Sequence, residues 1–380
     1  MAPIVVIGSG LAGISVIREL RKLDRHTPVI LVAADDGVFY AKPNLSNALA
    51  AKKTPAQLVA TQRDALTAQL GIEIRPRERV EKIVPAESTV YTDRGPIAYS
   101  RLVLAVGAQP IRLPIEGNAA TDILSVNHLD DYAAFRERLA GKKRVAILGA
   151  GLIGCEFAND LAGAGYEVQV FDLAPQALGR LLPAGAAAFF RRGLEAAGVS
   201  FHFETSIGRV DHARAGYTLL DLHGNEFAAD LVLSAVGLRP EVVLARAAGL
   251  KVNRGIVVDA MLATSDADTY AVGDCAEVQG LVLPFVLPIM QQARALGKTL
   301  AGTPTPVHYP AMPVVVKTPA CPAVVCPPPA GSEGTWREES SETGVQALYE
   351  NAAGEAVGFA LVGAATAVKQ TLSAKMPAWL

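Results

Sequence analysis

The chain begins with a short β-branched run, a glycine-rich turn and a stretch with helical spacing of apolar residues. The run covers Ile4 to Ile7, the turn reads GSGLAG at residues 8–13, and the helical spacing continues to about Leu23. Val29 to Ala33 is the next apolar run. A strand, a helix and a second strand in this order predict a βαβ unit of a parallel sheet.

The same pattern returns in the middle of the chain. Arg144 to Leu148 runs into GAGLIG at residues 149–154, and a helical stretch and an apolar run from Glu167 to Phe171 follow. Each copy closes with an apolar strand that ends in a glycine, Gly107 in the first copy and Gly237 in the second. Repetition on this scale predicts the duplication of a whole domain.

Smaller elements fill the segments around the two copies. Thr54-Pro55 carries the signals of a helix start and Gly71 those of a helix end, so one helix is predicted between them. After a linker at residues 303–306, the pattern predicts a small α+β domain with an irregular proline-rich loop at Cys326 to Pro329. The other predicted elements are strands at 89–92 and 97–99, a hairpin turn at 223–225, a helix over about 289–301, strands at 314–318, 345–350 and 356–362, and a final helix.

Composition and charge narrow the class of protein. Of 380 residues, 51% are hydrophobic, and the net charge of −2 argues against a dedicated nucleic-acid binder or a membrane-attracted surface. The N-terminal apolar run is shorter than the roughly 20 residues of a membrane span, so we interpret it as a buried strand entering a helix. Four cysteines make no disulfide framework, which favours a reducing cytoplasm. The six histidines are scattered without ligand spacing, so no metal site is predicted.

Both glycine-rich turns match the GxGxxG pattern of dinucleotide-binding loops. In such a loop the first glycine permits a tight turn, the second admits a pyrophosphate, and the third lets the helix pack on the strand. The helix then presents free N–H groups and a positive dipole to the phosphates. The motif alone is weak evidence, because ordinary glycine turns also match it. Two copies, each between a strand and a helix, predict two dinucleotides or two halves of one electron-transfer site.

A carboxylate at the end of the second strand selects the nucleotide in such units. In the second copy this residue is Asp172, which would accept hydrogen bonds from a ribose 2′-OH and repel a 2′-phosphate. NADH is therefore expected rather than NADPH, although a solvated turn aspartate is the alternative. In the first copy the position falls on Ala34, so either Asp35 or backbone groups near Ala33 and Ala34 would serve.

Three further segments carry a family resemblance. Residues 264–274, which end in YAVGD, resemble the T-x(5)-Y-A-x-G-D fingerprint of the flavoprotein reductases with two dinucleotide-binding domains. Residues 233–240 resemble the family's G-x-x-P hinge segment, and residues 105–107 resemble its A-T-G segment with valine in place of threonine. The resemblance implies FAD, a nicotinamide nucleotide, and a flavin ribityl contact at Asp274.

The implied fold class is α/β, with two Rossmann-like dinucleotide-binding domains in a glutathione-reductase-like architecture and a small α+β C-terminal domain. The implied FAD-binding domain is discontinuous and covers residues 1–112 and 241–304. The NAD-binding domain would be the insert at residues 113–240, and the C-terminal domain would cover residues 305–380.

Segments that resemble narrower groups of these reductases point to the electron acceptor. YAKPNLS at residues 40–46 is similar to a segment of NAD(P)H-dependent rubredoxin, ferredoxin and nitrite reductases, which implies that Lys42 lies near flavin N5. IGCE at residues 153–156 resembles the family's I-G-x-E, which implies that Glu156 lies near flavin N5 and the nicotinamide ribose and could pair with Lys42. Surface positions for both side chains are the alternative.

The C-terminal domain carries the third such segment. KTPACP at residues 317–322 resembles the K-T-P-x-x-P of rubredoxin and flavorubredoxin reductases. It implies that Lys317 approaches the flavin pyrimidine edge, where positive charge stabilises an anionic reduced ring. A lysine at a strand end is the alternative. Cys321 and Cys326 lie in the wrong domain for disulfide-reductase chemistry, so a redox role is not expected for them.

The resemblance implies two sets of binding residues and no protein nucleophile. The FAD set is Gly8, Ser9, Gly10, Leu11, Ala12, Gly13, Ala33, Ala34, Asp35, Lys42, Pro43, Val80, Ala105, Gly107, Asp274, Val286 and Lys317. The NAD set is Gly149, Gly151, Leu152, Ile153, Gly154, Glu156, Asp172 and Gly237, with Ile153 packing on the nicotinamide.

The implied activity is hydride transfer from NADH to FAD, followed by single-electron transfer to rubredoxin, a small acidic iron protein, in an alkane-hydroxylating system. The alternatives are a reductase for a [2Fe–2S] ferredoxin, an NADH oxidase or peroxidase, and a flavin-binding redox sensor. An oxidase of this fold would need a cysteine shortly after the first βαβ unit, and residues 36–60 contain none. The oligomeric state stays open, with a monomer as the favoured interpretation.

Overall fold

The computed structural model describes residues 2–380, which form helices and both parallel and antiparallel sheets. None of the helices in this range is long and apolar enough to cross a membrane. The α-helices are Leu11–Arg21, Pro55–Leu58, Arg63–Leu70, Leu129–Leu139, Leu152–Gly163, Ala184–Ala196, Val243–Ala247, Val286–Leu300 and Lys369–Ser373.

The first parallel sheet joins strands from both ends of the proposed FAD-binding part. Its spatial order is Thr269–Ala271, Arg101–Leu104, Ile4–Ile7, Val29–Val32 and Glu73–Arg75. All four pairs of neighbouring strands are parallel. The central strand Ile4–Ile7 is apolar on both faces, as expected for a sheet covered by helices. The late strand Thr269–Ala271 therefore completes a sheet that the N-terminus begins.

The second parallel sheet repeats this arrangement. Its spatial order is Val199–His202, Glu167–Phe171, Arg144–Leu148 and Leu231–Ser234. In both sheets the strand before a glycine loop lies between the second strand of its βαβ unit and the apolar strand that closes the copy. The prediction of two Rossmann-like units is confirmed.

Two short antiparallel strands lie where the chain enters and leaves the second unit. Ala108–Pro110 pairs with Leu238–Pro240, so the two connections run side by side. The remaining small sheets are Val80–Val84 with Thr89–Thr92 and Gly95–Ala98, Ile207–His212 with Tyr217–Asp221 and Glu226–Ala229, Phe39–Tyr40 with Val59–Thr61, and Ile256–Val258 with Ala276–Val278.

The C-terminal part is an antiparallel sheet that packs on the second unit. Its spatial order is Val314–Val316, Ala323–Cys326, Ala356–Gly363, Gly344–Glu350 and Thr335–Ser340. Helix Ala184–Ala196 covers one face of this sheet closely, since a Cβ built at Gly193 would lie 2.5 Å from Cys321 Cβ. Glu338 accepts hydrogen bonds from the backbone N–H groups of Gly185 (3.1 Å) and Ala186 (2.7 Å) at the start of that helix.

One local prediction was wrong and another was off by one residue. The single helix expected from Pro55 to Gly71 is interrupted by strand Val59–Thr61, because this β-branched stretch pairs with Phe39–Tyr40. The irregular proline-rich loop is present at residues 327–329, but Cys326 is the last residue of a buried strand, Ala323–Cys326. These strands are fixed by partners elsewhere in the chain, which local propensity does not show.

Candidate active site and cofactor cradles

The first glycine of each loop has a backbone conformation that only glycine adopts easily. Gly8 has φ +111° and Gly149 has φ +107°. A Cβ would lie 2.3 Å from the Ala105 carbonyl oxygen at Gly8 and 2.6 Å from the Ala235 carbonyl oxygen at Gly149. Each loop therefore turns tightly against the strand that closes its copy.

The other two glycines separate a packed side of each loop from an open side. A Cβ at the third glycine would clash with the first glycine's carbonyl oxygen, at 2.1 Å for Gly13 and an even closer approach for Gly154. Around the second glycines, Gly10 and Gly151, no heavy atom lies within 4 Å of a built Cβ. The open space stands directly at the N-terminus of a helix, where a pyrophosphate binds. Both loops fit a dinucleotide on this observation.

In the first sheet the predicted FAD residues lie at one edge. The glycine loop, Asp35, Gly107 and Asp274 all follow the carboxyl ends of neighbouring parallel strands. That edge is where ligands bind in open α/β sheets. Asp35 contacts the loop, because Ser9 Oγ donates to its carboxylate at 2.7 Å. Ala34 is exposed, so the side chain that reaches the loop is that of Asp35.

The equivalent carboxylate of the second unit lies directly on its loop. Asp172 accepts hydrogen bonds from the backbone N–H groups of Ala150, at 2.5 Å, and Ala174, at 2.7 Å. Its negative charge is thereby fixed beside the open glycine, Gly151. This is the arrangement expected of a residue that contacts an adenosine ribose.

The segment that carries Asp274 is fixed by a buried hydrogen-bond network whose members lie outside the sequence motif. Gly273, at φ +81°, donates its N–H to Gln292 Oε1 at 2.6 Å, and Gln292 Nε2 donates to the Tyr309 hydroxyl at 2.7 Å. Burial raises the pKa of Asp274, and the Lys42 ammonium opposes that shift. The only sequence signal for Gln292 was a polar residue on the apolar face of a helix.

Lys42 begins a 3-10 helix, Lys42–Asn47. Burial lowers the pKa of Lys42, and the carboxylates of Asp274 and Asp131 oppose that shift. Pro43 occupies the first turn of the 3-10 helix, where a missing N–H costs no hydrogen bond. The Lys42 ammonium therefore lies within electrostatic reach of Asp274.

Glu156 pairs with a different lysine from the one predicted. Its carboxylate is 1% exposed and forms an ion pair with the Lys317 ammonium rather than with Lys42. It also accepts from the Lys317 backbone N–H at 2.9 Å and from Ser46 Oγ at 2.5 Å. The expected pair is wrong because the C-terminal segment reaches Glu156 with both a backbone and a side-chain donor. Ser46 was part of the YAKPNLS motif, but no role was assigned to it.

The remaining predicted residues lie in the core, at the start of a helix, or in the loops and strand ends. Val80 is buried in the core of the first unit, whereas Val286 is half-exposed at the start of helix Val286–Leu300. The rest belong to the loops already described or to strand ends: Leu11, Ala12, Ala33, Ala105, Leu152, Ile153 and Gly237.

The four cysteines are free thiols in buried positions. Burial raises the pKa of Cys275 to about 12, that of Cys321 to about 11 and that of Cys326 to about 11. It raises the pKa of Cys155 as well. Since the thiolate is the reactive form, these residues are poorly suited to thiol redox chemistry.

Comparisons with known proteins agree with this geometry. Residues 2–297 match the family model described as pyridine nucleotide-disulphide oxidoreductase, and residues 306–376 match the rubredoxin binding C-terminal domain. The chain is 46% identical to a rubredoxin-NAD(+) reductase of Alcanivorax borkumensis, over 100% of this chain and 99% of that one. It is 48% identical to a rubredoxin-NAD(+) reductase of Acinetobacter baylyi, over 98% of this chain and 97% of that one.

Among solved structures, the chain is similar to a ferredoxin reductase from Rhodopseudomonas palustris. The TM-score is 0.89 at 28% identity, and the match covers 99% of this chain and 96% of that one. The similarity therefore includes both nucleotide-binding units and the C-terminal sheet.

Proposed function

Because the chain belongs to the pyridine nucleotide-disulphide oxidoreductase family, we propose that it is an FAD-containing reductase that takes electrons from NADH and delivers them to rubredoxin. The observation that carries the choice of acceptor is the match of residues 306–376 to a rubredoxin-binding domain. When bound, FAD supplies the redox chemistry, since its ring accepts a hydride from a nicotinamide and passes electrons on singly. The chain supplies binding, orientation and charge.

The first unit holds FAD. Its glycine loop would present helix N–H groups to the pyrophosphate, and Asp35 would accept from the adenosine ribose. Asp274 would accept from the ribityl chain, and the network through Gln292 keeps the segment that carries it in place. The positive charge of Lys42, which lies within electrostatic reach of Asp274, favours the reduced anionic flavin.

The second unit holds NADH. Asp172 is fixed beside Gly151 by two backbone N–H groups, where its charge would meet the adenosine ribose of a bound nucleotide. A 2′-phosphate placed there would meet a carboxylate at short range, and this repulsion disfavours NADPH. Ile153 and Glu156 lie in the first turns of helix Leu152–Gly163, and these two residues would contact the nicotinamide end of the bound nucleotide.

A thiol-based activity fits the chain less well. Disulfide reductases and peroxidases act through a reactive thiolate, whereas burial raises the pKa of each cysteine here. Electrons must then leave the flavin directly for an external acceptor. This favours a redox protein that docks near the flavin.

A groove beside the flavin-binding part is suited to such docking. It has a volume of about 340 Å³ and lies between helix Val286–Leu300 and the C-terminal sheet. Two of the apolar side chains that line it, Leu287 and Val315, are 43% and 49% exposed. Lys369 borders the groove and offers a positive charge to an acidic partner. Contiguous exposed apolar surface of this kind is typical of interaction sites.

A [2Fe–2S] ferredoxin is the second candidate acceptor. The similarity to the Rhodopseudomonas ferredoxin reductase extends over the whole chain, so the architecture alone serves either partner. The C-terminal match favours rubredoxin.

The setting of the enzyme belongs to the same proposal. The electrons would serve an alkane-hydroxylating system in the cytoplasm. The FAD-binding domain would comprise residues 1–112 and 241–304, the NAD-binding domain residues 113–240 and the C-terminal domain residues 305–380.

Steady-state NADH oxidation with and without purified rubredoxin tests this function. We expect rapid turnover that depends on rubredoxin, slower turnover with a [2Fe–2S] ferredoxin and little oxygen consumption. Faster turnover with ferredoxin would assign the second candidate, and acceptor-independent oxygen consumption would indicate an oxidase.

A further inference from the structure

The helix that begins at the second glycine loop, Leu152–Gly163, carries three buried polar side chains on one face. Glu156, Asn159 and Asp160 are 1%, 8% and 3% exposed. Their helical spacing of three and four residues places them side by side. Buried polar groups of this kind need hydrogen-bond partners, and all three find them outside the second nucleotide-binding unit.

Asp160 binds the backbone of the first unit. Its Oδ2 accepts from the Leu49 N–H at 2.8 Å, and its Oδ1 accepts from the Ala50 N–H at 2.9 Å. Burial raises the pKa of Asp160, and these two N–H groups oppose that shift because they favour the carboxylate. Both amides belong to the stretch that directly follows the 3-10 helix beginning at Lys42.

The same face of helix Leu152–Gly163 also contacts residues 42–50 at Ser46, and it contacts the C-terminal part at Ala320. Glu156 accepts from Ser46 Oγ, four residues after Lys42, and Asn159 accepts from the Ala320 N–H at 3.1 Å. Leu45 and Leu49 pack into the same apolar cluster as the helix. Residues 42–50 are therefore held from outside their own unit, by polar bonds at Ser46, Leu49 and Ala50 and by the apolar packing of Leu45 and Leu49.

We propose that Asp160 is a positioning residue: it fixes residues 42–50 and thereby sets where the Lys42 ammonium lies relative to Asp274 and the flavin. The helix that starts at the nucleotide loop then also determines the charge beside the flavin. This inference rests on the proposed function, in which the charge of Lys42 promotes reduction of FAD by NADH.

A double-mutant cycle separates positioning from a merely structural contribution. Asp160→Asn keeps the size of the side chain but leaves one acceptor oxygen for two backbone N–H groups, and Lys42→Met keeps the length of the lysine without its charge. The measurement is the anaerobic stopped-flow rate of flavin reduction at saturating NADH in the holoenzyme. We expect Asp160→Asn to slow reduction by about tenfold when Lys42 is present and by less than about twofold in the Lys42→Met background.

Hydrogen–deuterium exchange gives a second reading that does not depend on activity. Peptides covering residues 42–50 should exchange about tenfold faster in Asp160→Asn than in the unmodified holoenzyme. Asp221→Asn is the matched control, since Asp221 is also a buried carboxylate that accepts two backbone N–H groups, from His223 and Asn225, but within a single hairpin. It should change neither reading.

Equal slowing in both Lys42 backgrounds, no slowing in either, or unchanged exchange of residues 42–50 would overturn the proposal. Should Asp160→Asn fail to fold, Ser46→Ala removes the other polar bond to the same stretch and enters the cycle with the same expectations. A holoenzyme that NADH cannot reduce would contradict the proposed function instead, and the exchange measurement would still decide whether Asp160 holds residues 42–50.

Discussion

The two glycine loops have the same backbone design but different surroundings. In both, the first glycine turns at positive φ and the second leaves space at a helix N-terminus. A later strand of the chain brings Asp274 to the edge of the first loop, and a buried glutamine fixes the segment that carries it. Both loops are bonded to the carboxylate that follows their second strand, Asp35 in the first copy and Asp172 in the second, but the second sheet of the described residues has no strand equivalent to Thr269–Ala271. Under the proposed function, one local motif would thus hold a resident cofactor or an exchanging substrate, depending on what distant segments add.

Filling the open space of each loop should have the largest effect. Gly10→Val puts a branched side chain where the FAD pyrophosphate binds, and we expect the purified protein to lose its flavin. Gly151→Val should leave FAD bound but raise KM for NADH by on the order of a hundredfold, because the phosphate contacts at the helix N-terminus are blocked. Absorbance spectra and NADH kinetics measure both. Loss of FAD from Gly151→Val would mean that the loops are not assigned to separate nucleotides.

Asp274→Ala removes the feature that distinguishes the first cradle. A hydrogen bond to a charged group contributes about 1.5–3 kcal/mol, so Kd for FAD should rise roughly ten- to a hundredfold. Flavin fluorescence on dilution gives the dissociation constant. Asp172→Ala serves as the control and should retain FAD at the unmodified affinity. Equal loss of FAD from both variants would contradict a specific role for Asp274.

Asp172→Ala tests the carboxylate of the second loop, as Asp274→Ala tests that of the first. Without the carboxylate, KM for NADH should rise by about tenfold and the preference for NADH over NADPH should narrow. The ratio of kcat/KM for the two nucleotides, measured with one acceptor, is the test. An unmodified protein that uses both nucleotides with equal efficiency would remove the basis for this assignment.

Salt should affect the two half-reactions unequally, by a few fold. If an acidic rubredoxin is steered by basic side chains such as Lys369, electron transfer to sub-saturating rubredoxin should slow as salt rises. The screening length falls from about 10 Å at 0.1 M to about 3 Å at 1 M. Flavin reduction by NADH should change much less over this range. A salt-independent second half-reaction would indicate that the apolar side chains of the groove dominate docking.

Most of the fold and the two cradles could be predicted from the sequence because their determinants are local. Glycine spacing, β-branched runs and helix signals specify a strand–loop–helix unit wherever it occurs. The predictions that failed concern contacts between distant segments. Strand Val59–Thr61 forms because Phe39–Tyr40 lies beside it, and Glu156 pairs with Lys317 because the C-terminal segment returns to the second unit.

The polar residues that position the site could not be predicted from the sequence for the same reason. Gln292, Ser46 and Asp160 are ordinary residues of helices or turns in the sequence, and only their burial against other parts of the chain shows what they hold. A motif identifies the residues that carry the chemistry, whereas the residues that position them depend on the packing of all three parts.

The most direct test of the account is an anaerobic titration of the holoenzyme with NADH in the presence of excess oxidised rubredoxin. One hydride carries two electrons and each rubredoxin iron accepts one. We therefore expect two rubredoxins to be reduced for each NADH consumed, and no reduction by the FAD-free protein. NADH consumption without reduction of rubredoxin iron, or reduction of rubredoxin by the FAD-free protein, would contradict a path from NADH through bound FAD to rubredoxin.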